Sequence, residues 1–384
     1  MSLREVCWGV YLVGLPFAHF LLWTKGLNQY HLQNFWAYGG LTLLLGLSLV
    51  DGESRPLRNW PLACWLLWTT WSLLWMWKRM MVTNQLHPVG LLPFWIHATS
   101  VVWFYLAAVR TWTAELLTRV LRWVAFAGIG LVAYGYLQLA GLDQFYRSTD
   151  FSLQGDVLVG TIGNPTHYGL HLALFLSVWL WQPEWWWKLV AVAASILLPL
   201  TLSTSAMLCG MVAWLWWSWH EARVVAWGIL GLSLLGFGWL VWHDRLWLDP
   251  EGRYAWWTFL WQHYLVGQNK AQITGAGLGR MMLDSLQAVP GWWPSWRHAH
   301  NEFFQVLIET GVVGLGIVLW GLGERVRCWW ALPGTPLAFM LAGIGLVFVL
   351  SSLVNFSAHL WLLGVFGLLA YCGIEVLSAE GNTA

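Results

Sequence analysis

The stretch "GTPLAFMLAGIGLVFVLSSL", residues 334–353, decides the fold, because its twenty residues carry no charged side chain and no apolar/polar alternation. As a helix rising 1.5 Å per residue it reaches about 30 Å, the thickness of a bilayer's hydrocarbon core. Similar runs recur outward from it, near 5–24, 34–50, 60–77, 90–109, 121–141, 166–182, 185–202, 204–219, 224–242, 301–321 and 358–376. Only "TLSTS" separates the seventh from the eighth. Composition agrees: 58% hydrophobic residues, 10% charged residues and a mean hydropathy of +0.57 lie outside the soluble globular range.

The expected fold is an all-α integral membrane protein with about twelve transmembrane helices and one long external loop before the tenth span. Closed barrels are excluded, since their strands alternate lipid-facing and lumen-facing residues. The chain then divides into an N-terminal membrane bundle over 1–242, a periplasmic loop over 243–300 and a C-terminal bundle over 301–384. The first apolar run ends in "WTKGLNQYH" rather than in a small-residue cleavage site, so it reads as an anchor and not as a signal peptide.

Lys and Arg in short loops mark the cytoplasmic side. With the N-terminus inside, the inner connections hold Arg4, Arg55, Arg58, Arg110, Arg119, Arg122, Lys188, Arg223, Arg325 and Arg327, against Lys25, Lys78, Arg79 and Arg147 outside. Both termini are therefore expected in the cytoplasm. A net charge of +1 predicts no nucleic-acid partner. Cys7, Cys64, Cys209, Cys328 and Cys372 fall within or beside spans, so no disulfide framework is implied. Many of the 36 tryptophans sit near span ends, where an amphipathic ring suits the headgroup region. In the outer loop, Trp292, Trp293 and Trp296 either anchor there or stack on sugar rings.

Polar residues concentrate in "HAHNEFFQVLIETGVVGLG" (298–316), where the long loop meets the tenth span. His300 stands at a helix N-terminus, whose positive dipole end disfavours an imidazolium and leaves a neutral ring able to accept a proton. Asn301, Gln305 and Glu309 recur every fourth residue and share one face. Glu309 lies about two turns deep, where an ionisable group faces a cavity or a partner. The plainer account is helix-to-helix glue, with Gly311 and Gly314 permitting close contact.

The loop also carries "LDPEGRYAWW" (248–257) and "ITGAGLGRMM" (273–282). Arg245, Arg253, Arg280 and Arg297 are fixed cations whose planar donors suit phosphate oxygens. No acidic cluster accompanies them and "HAH" lacks the spacing of a zinc site, so neither metal nor other cofactor is indicated. In "VGTIGNPTHYGLHLALF" (159–175), Asn164 can cap the sixth span with Pro165 in its first turn. His167 and His171 stand one turn apart without a third ligand. No partner can be named for His19, His97 or His359, which read as bundle hydrogen-bonders.

The order "GRYAWW", "GAGLG", "HAHNEFFQVLIETGVVGLG" resembles the membrane O-antigen ligase and polymerase family, with its Gly-Arg-x-x-x-Trp element, its G-x-G turn and its His-Asn motif followed by Glu-x-Gly-x-x-Gly. The resemblance is close over 248–316, and the span layout extends it along the chain. It implies a glycosyltransferase on the outer face of the bacterial inner membrane. Its donor would be a glycan linked through pyrophosphate to undecaprenol. The acceptor hydroxyl would belong to lipid A-core, to another glycan repeat or to a protein, and transfer would invert the sugar without metal. Carried over by motif, Arg253 holds the pyrophosphate, His300 stands at the reacting centre and Asn301 is its motif neighbour. Asn164 and His167 touch donor or acceptor, and Ser203 matches the first residue of the family's Ser-Arg pair. Thr204 stands where the family has Arg, so one phosphate-binding arginine is missing from its usual place. Arg280 and Arg297 are inferred from charge alone, and Glu309 completes the candidate substrate-binding set.

Three functions remain open: this transferase, with ligase and polymerase as variants; a transporter or flippase for a lipid-linked sugar or small anion; and an inactive relative, motivated by Thr204. A transporter of inverted-repeat type would pair broken helices between its halves, and no such pairing is visible in the sequence.

Overall fold

A computed structural model describes residues 2–17, 29–51, 59–83, 92–142, 158–162, 164–228, 231, 253–267, 271–281, 284, 298–355, 357–358 and 360–381. Of these, 86% are helical and none forms a strand. The principal helices are α1 (Leu3–Gly14), α2 (Gln29–Asp51), α3 (Trp60–Thr83), α4 (Leu92–Thr111), α5 (Ala114–Leu139), α6 (Pro165–Trp179), α7 (Trp186–Leu197), α8 (Thr204–Glu221), α9 (Arg253–Leu260), α10 (Glu302–Trp330), α11 (Pro336–Val354) and α12 (Trp361–Gly381).

Among the described residues, five segments are long and apolar enough to cross a membrane: α4, α5, α10, α11 and the Leu363–Gly381 part of α12. In α3, Trp60, Trp65, Trp68, Trp71, Trp75 and Trp77 hold the mean hydropathy down, because each indole carries a ring N–H. The expected division between the seventh and eighth runs is present. α7 closes in a short 3-10 turn over Pro199–Thr201, Leu202 takes a left-handed backbone, and Ser203 starts α8. The fifth run begins earlier than expected, at Ala114, because Thr113 accepts the Leu116 N–H and caps it there. Most of the ninth run, Arg297, His19, His359 and the loop tryptophans Trp292, Trp293 and Trp296 lie outside the described residues.

Side-chain caps set most of the clear starts. Ser2 and Glu5 form a reciprocal capping box on α1, and Thr113, Asn164, Ser203, Asn301 and Thr335 each accept an N–H three residues on. Each cap contributes about 1 kcal/mol by satisfying an otherwise unpaired amide. One buried cluster runs from Trp8 to Val376 and draws on both halves of the chain, with α11, which contributes Met340, Leu341, Ile344 and Val347, packed against α6, α8 and α12. α6 and α8 approach closely because Gly169 has no side chain, and an added Cβ would lie 2.6 Å from Ala206 Cβ.

The two ends of the bundle differ in chemistry. At one, ion pairs tie helices together: Arg325 to Glu375, Arg119 to Glu5 and Arg122 to Glu184. Arg325 also lies over the Tyr371 ring at 4.8 Å. At the other end, where α10 begins, residues 253–267 and 271–281 pack against the start of α10 in a second apolar cluster that includes Trp256, Leu260, Tyr264, Ala276, Ala299 and Ile308. His97, which the sequence left without a partner, has two there. Its Nδ1 is 2.7 Å from the Tyr38 hydroxyl and its Nε2 is 3.0 Å from the Ala358 carbonyl.

Candidate functional site

The site is assembled around a break in α10. At Gly311 the backbone turns to φ 72° and ψ −175°, so the helix is interrupted two turns below its start. The carbonyls just before the break accept donors from other segments: Ile308 from the Ala276 N–H at 2.7 Å, Glu309 from the Gly277 N–H at 3.0 Å, and Thr310 from the Trp68 indole at 2.9 Å. Buried carbonyls demand such partners, and the turn "GAG" supplies two of the three donors. It can approach only because Gly275 and Gly311 lack side chains. A Cβ on Gly275 would lie 2.2 Å from Glu309 O, and one on Gly311 would lie 2.1 Å from Ile273 O. The spacing Glu-x-Gly-x-x-Gly thus has a backbone explanation, with Gly314 leaving room beside Thr310 and Trp68.

Above the break, His298, Ala299 and His300 form a short loop fastened from two sides. From α9, the indoles of Trp256 and Trp257 donate to the carbonyls of His298 and Ala299 at 3.1 and 2.6 Å. From α10, the Gln305 side-chain oxygen accepts the Ala299 N–H at 3.1 Å. Its amide nitrogen lies 3.3 Å from His298 Nδ1 and 3.4 Å from Glu309 Oε1. His300 adopts φ 54°, a left-handed conformation in a non-glycine residue. Such a backbone costs roughly 1–2 kcal/mol and persists where surrounding contacts over-determine it.

Asn301 ends the loop as the cap of α10, its side-chain oxygen accepting the Phe304 N–H at 2.9 Å. Arg253, the first residue of α9, donates to the Val354 carbonyl, which places its guanidinium at the C-terminal end of α11. His167 is buried in α6, close enough to His171 and His300 to feel the charge of either ring. Asn164 caps α6 through the His167 N–H at 3.1 Å, as the sequence suggested.

The remaining candidates stand apart. Arg280 is held by the buried Asp284, with Nε 2.8 Å from Oδ2 and Nη2 2.7 Å from Oδ1. The Tyr264 hydroxyl donates to the same carboxylate at 2.6 Å, and burial, reinforced by Asp284, pushes that phenol up so that it stays the donor. Arg280 therefore braces the loop. The i,i+4 spacing in "RMMLD" was the signal that could have found its partner. Ser203 caps α8 by accepting the Ala206 N–H, and Thr204 is exposed. Gln305, which the sequence placed on the polar face but not in the site, makes three of these contacts, to Ala299, His298 and Glu309.

Comparison with known proteins returned no matching family model and no matching curated protein.

Proposed function

We propose that this chain is a membrane glycosyltransferase that moves a glycan from an undecaprenyl-pyrophosphate donor to a hydroxyl of lipid A-core, in the manner of an O-antigen ligase. One observation carries the reading. Two motifs distant in sequence from it hold the first turns of α10: the Gly-Arg-x-x-x-Trp helix binds the carbonyls of the His-Asn loop that precedes them, and the G-x-G turn binds the carbonyls of Ile308 and Glu309 at the break. The bundle would cross a bacterial inner membrane about twelve times with both termini in the cytoplasm, which puts this segment at the periplasmic surface.

In the proposed step the acceptor oxygen attacks the anomeric carbon from the face opposite the pyrophosphate. The bond between the anomeric carbon and the bridging phosphate oxygen breaks, and the lipid pyrophosphate leaves with that oxygen and the electron pair. The acceptor proton passes to His300, whose place next to a helix N-terminus favours the neutral, accepting ring. Arg253 offsets the charge that develops on the leaving group, an effect worth on the order of 2–4 kcal/mol for one preorganised donor. Because Thr204 occupies the position of a second arginine, Arg253 carries a larger share of that charge here.

The test is transfer by purified protein in lipid, with undecaprenyl-pyrophosphate glycan and with or without lipid A-core, comparing wild type, His300→Ala and Arg253→Ala. A core band shifted by glycan in wild type and absent in both variants is expected. A ladder formed without core would make the protein a polymerase. Undiminished product from His300→Ala would remove His300 from the reaction.

A further inference from the structure

The Gln305 amide fixes more than a loop. The Ala299 N–H can only donate, so the Gln305 atom facing it at 3.1 Å must be the oxygen, and the orientation of the amide is decided. Its NH2 group then faces Glu309 Oε1 at 3.4 Å and His298 Nδ1 at 3.3 Å. A donor opposite Nδ1 requires a lone pair there. An imidazolium, or the tautomer with its proton on Nδ1, would set two N–H groups against each other. With Gln305 only 2% exposed, water cannot relieve that clash.

We infer that His298 is a second imidazole of the transfer site, held neutral with its proton on Nε2 by Gln305, and that this N–H serves the phosphate oxygens of the leaving group. The inference rests on the transferase reading for its chemistry but on hydrogen-bond geometry for its tautomer. Gln305 and Glu309 are positioning residues in it. Glu309 takes one amide proton and leaves the other for Nδ1. The Trp256 indole holds the His298 carbonyl at 3.1 Å, so backbone and ring are fixed from opposite sides. His298 lies two residues before His300, and both side chains spring from the loop that Arg253's helix fastens.

The two parts are tested separately. Nitrogen-15 NMR of histidine-labelled protein in lipid bilayers reads the tautomer directly, with the His298 signals assigned by their loss in His298→Asn. Wild type should show Nδ1 unprotonated and Nε2 protonated at neutral pH. Gln305→Glu keeps the acceptor for Ala299 but removes the NH2, and should convert His298 to the doubly protonated form. An Nδ1-protonated or doubly protonated His298 in wild type, or a tautomer unmoved by Gln305→Glu, overturns the assignment even if no transfer is ever observed. In the transfer assay, His298→Asn should lower kcat on the order of a hundredfold, with a smaller change in donor KM. An unchanged kcat in an active enzyme ends the role for His298. Absence of wild-type transfer with every acceptor would instead remove the function itself.

Discussion

His300 is the residue whose conformation and proposed chemistry pull in opposite directions. Its left-handed φ of 54° suits glycine better than histidine, so His300→Gly should raise the melting temperature in detergent while abolishing transfer. His300→Val should lower the melting temperature, because a β-branched side chain fits that conformation worst. A common direction for both variants would mean that the loop is not strained there. Asn301 separates structure from chemistry in another way. Its side-chain oxygen is occupied by the Phe304 N–H, so Asn301→Ser should keep both the cap and the activity, whereas Asn301→Ala should cost about 1 kcal/mol of stability. The sequence made the polar face of 301, 305 and 309 visible through its fourfold spacing. It could not reveal which of the three faced the loop, because the Ala299 N–H that orients Gln305 has no side-chain signature. The Arg280–Asp284 pair was legible in principle, since both residues share a helical spacing, but charge alone suggested a phosphate.

At the scale of elements, the break in α10 is the part least readable from the sequence. "ETGVVGLG" lies inside an unbroken apolar run, and glycines in such a run equally suit close helix contact. What distinguishes Gly311 is the backbone of Ile273 and Gly275 pressed against its Cα, a contact with a segment 36 or more residues earlier. Gly311→Ala and Gly275→Ala should each destabilise by about 2–3 kcal/mol, since a Cβ meets backbone that cannot swing aside and φ is unfavourable for alanine at both positions. Gly316→Ala is the control, with nothing within 4 Å of the added Cβ, and should lie within about 0.5 kcal/mol of wild type. Thermal inactivation of the three variants in one detergent measures the difference. Equal losses at 311 and 316 would show that the turn does not seat on the break. The helix starts were legible for the opposite reason. Asn164, Ser203 and Asn301 act through atoms within three residues of themselves, so local sequence suffices, whereas the equally local cap at Thr113 escapes a reading in which the apolar run begins only at 121.

Across the whole molecule, one apolar core joins residues of both halves, and the bundle's two ends carry different groups. The end with Arg119, Arg122 and Arg325 is the one that the distribution of basic residues assigned to the cytoplasm. Its pairs are positioned through helices far apart in sequence, as when Arg325 of α10 meets Glu375 of α12 beside Asn59 and Tyr371. The sequence therefore located the charges, while the partners had to come from packing. Removing one member of a partly buried pair leaves a charge with little water, so Arg325→Met should destabilise by about 3 kcal/mol, and Arg325→Met with Glu375→Leu should recover most of it. The sidedness itself is open to a direct measurement. In a variant lacking the five native cysteines, Thr258→Cys places a thiol on an exposed position of α9, and Ala331→Cys places one just beyond α10 at the opposite end. A membrane-impermeant maleimide added to intact spheroplasts should label position 258 and spare position 331, which should react only after lysis. The reverse pattern would put His298, His300 and Arg253 in the cytoplasm, on the wrong side for a donor presented at the periplasmic face. Labelling of both would leave α10, a helix of 29 residues, without a membrane to cross.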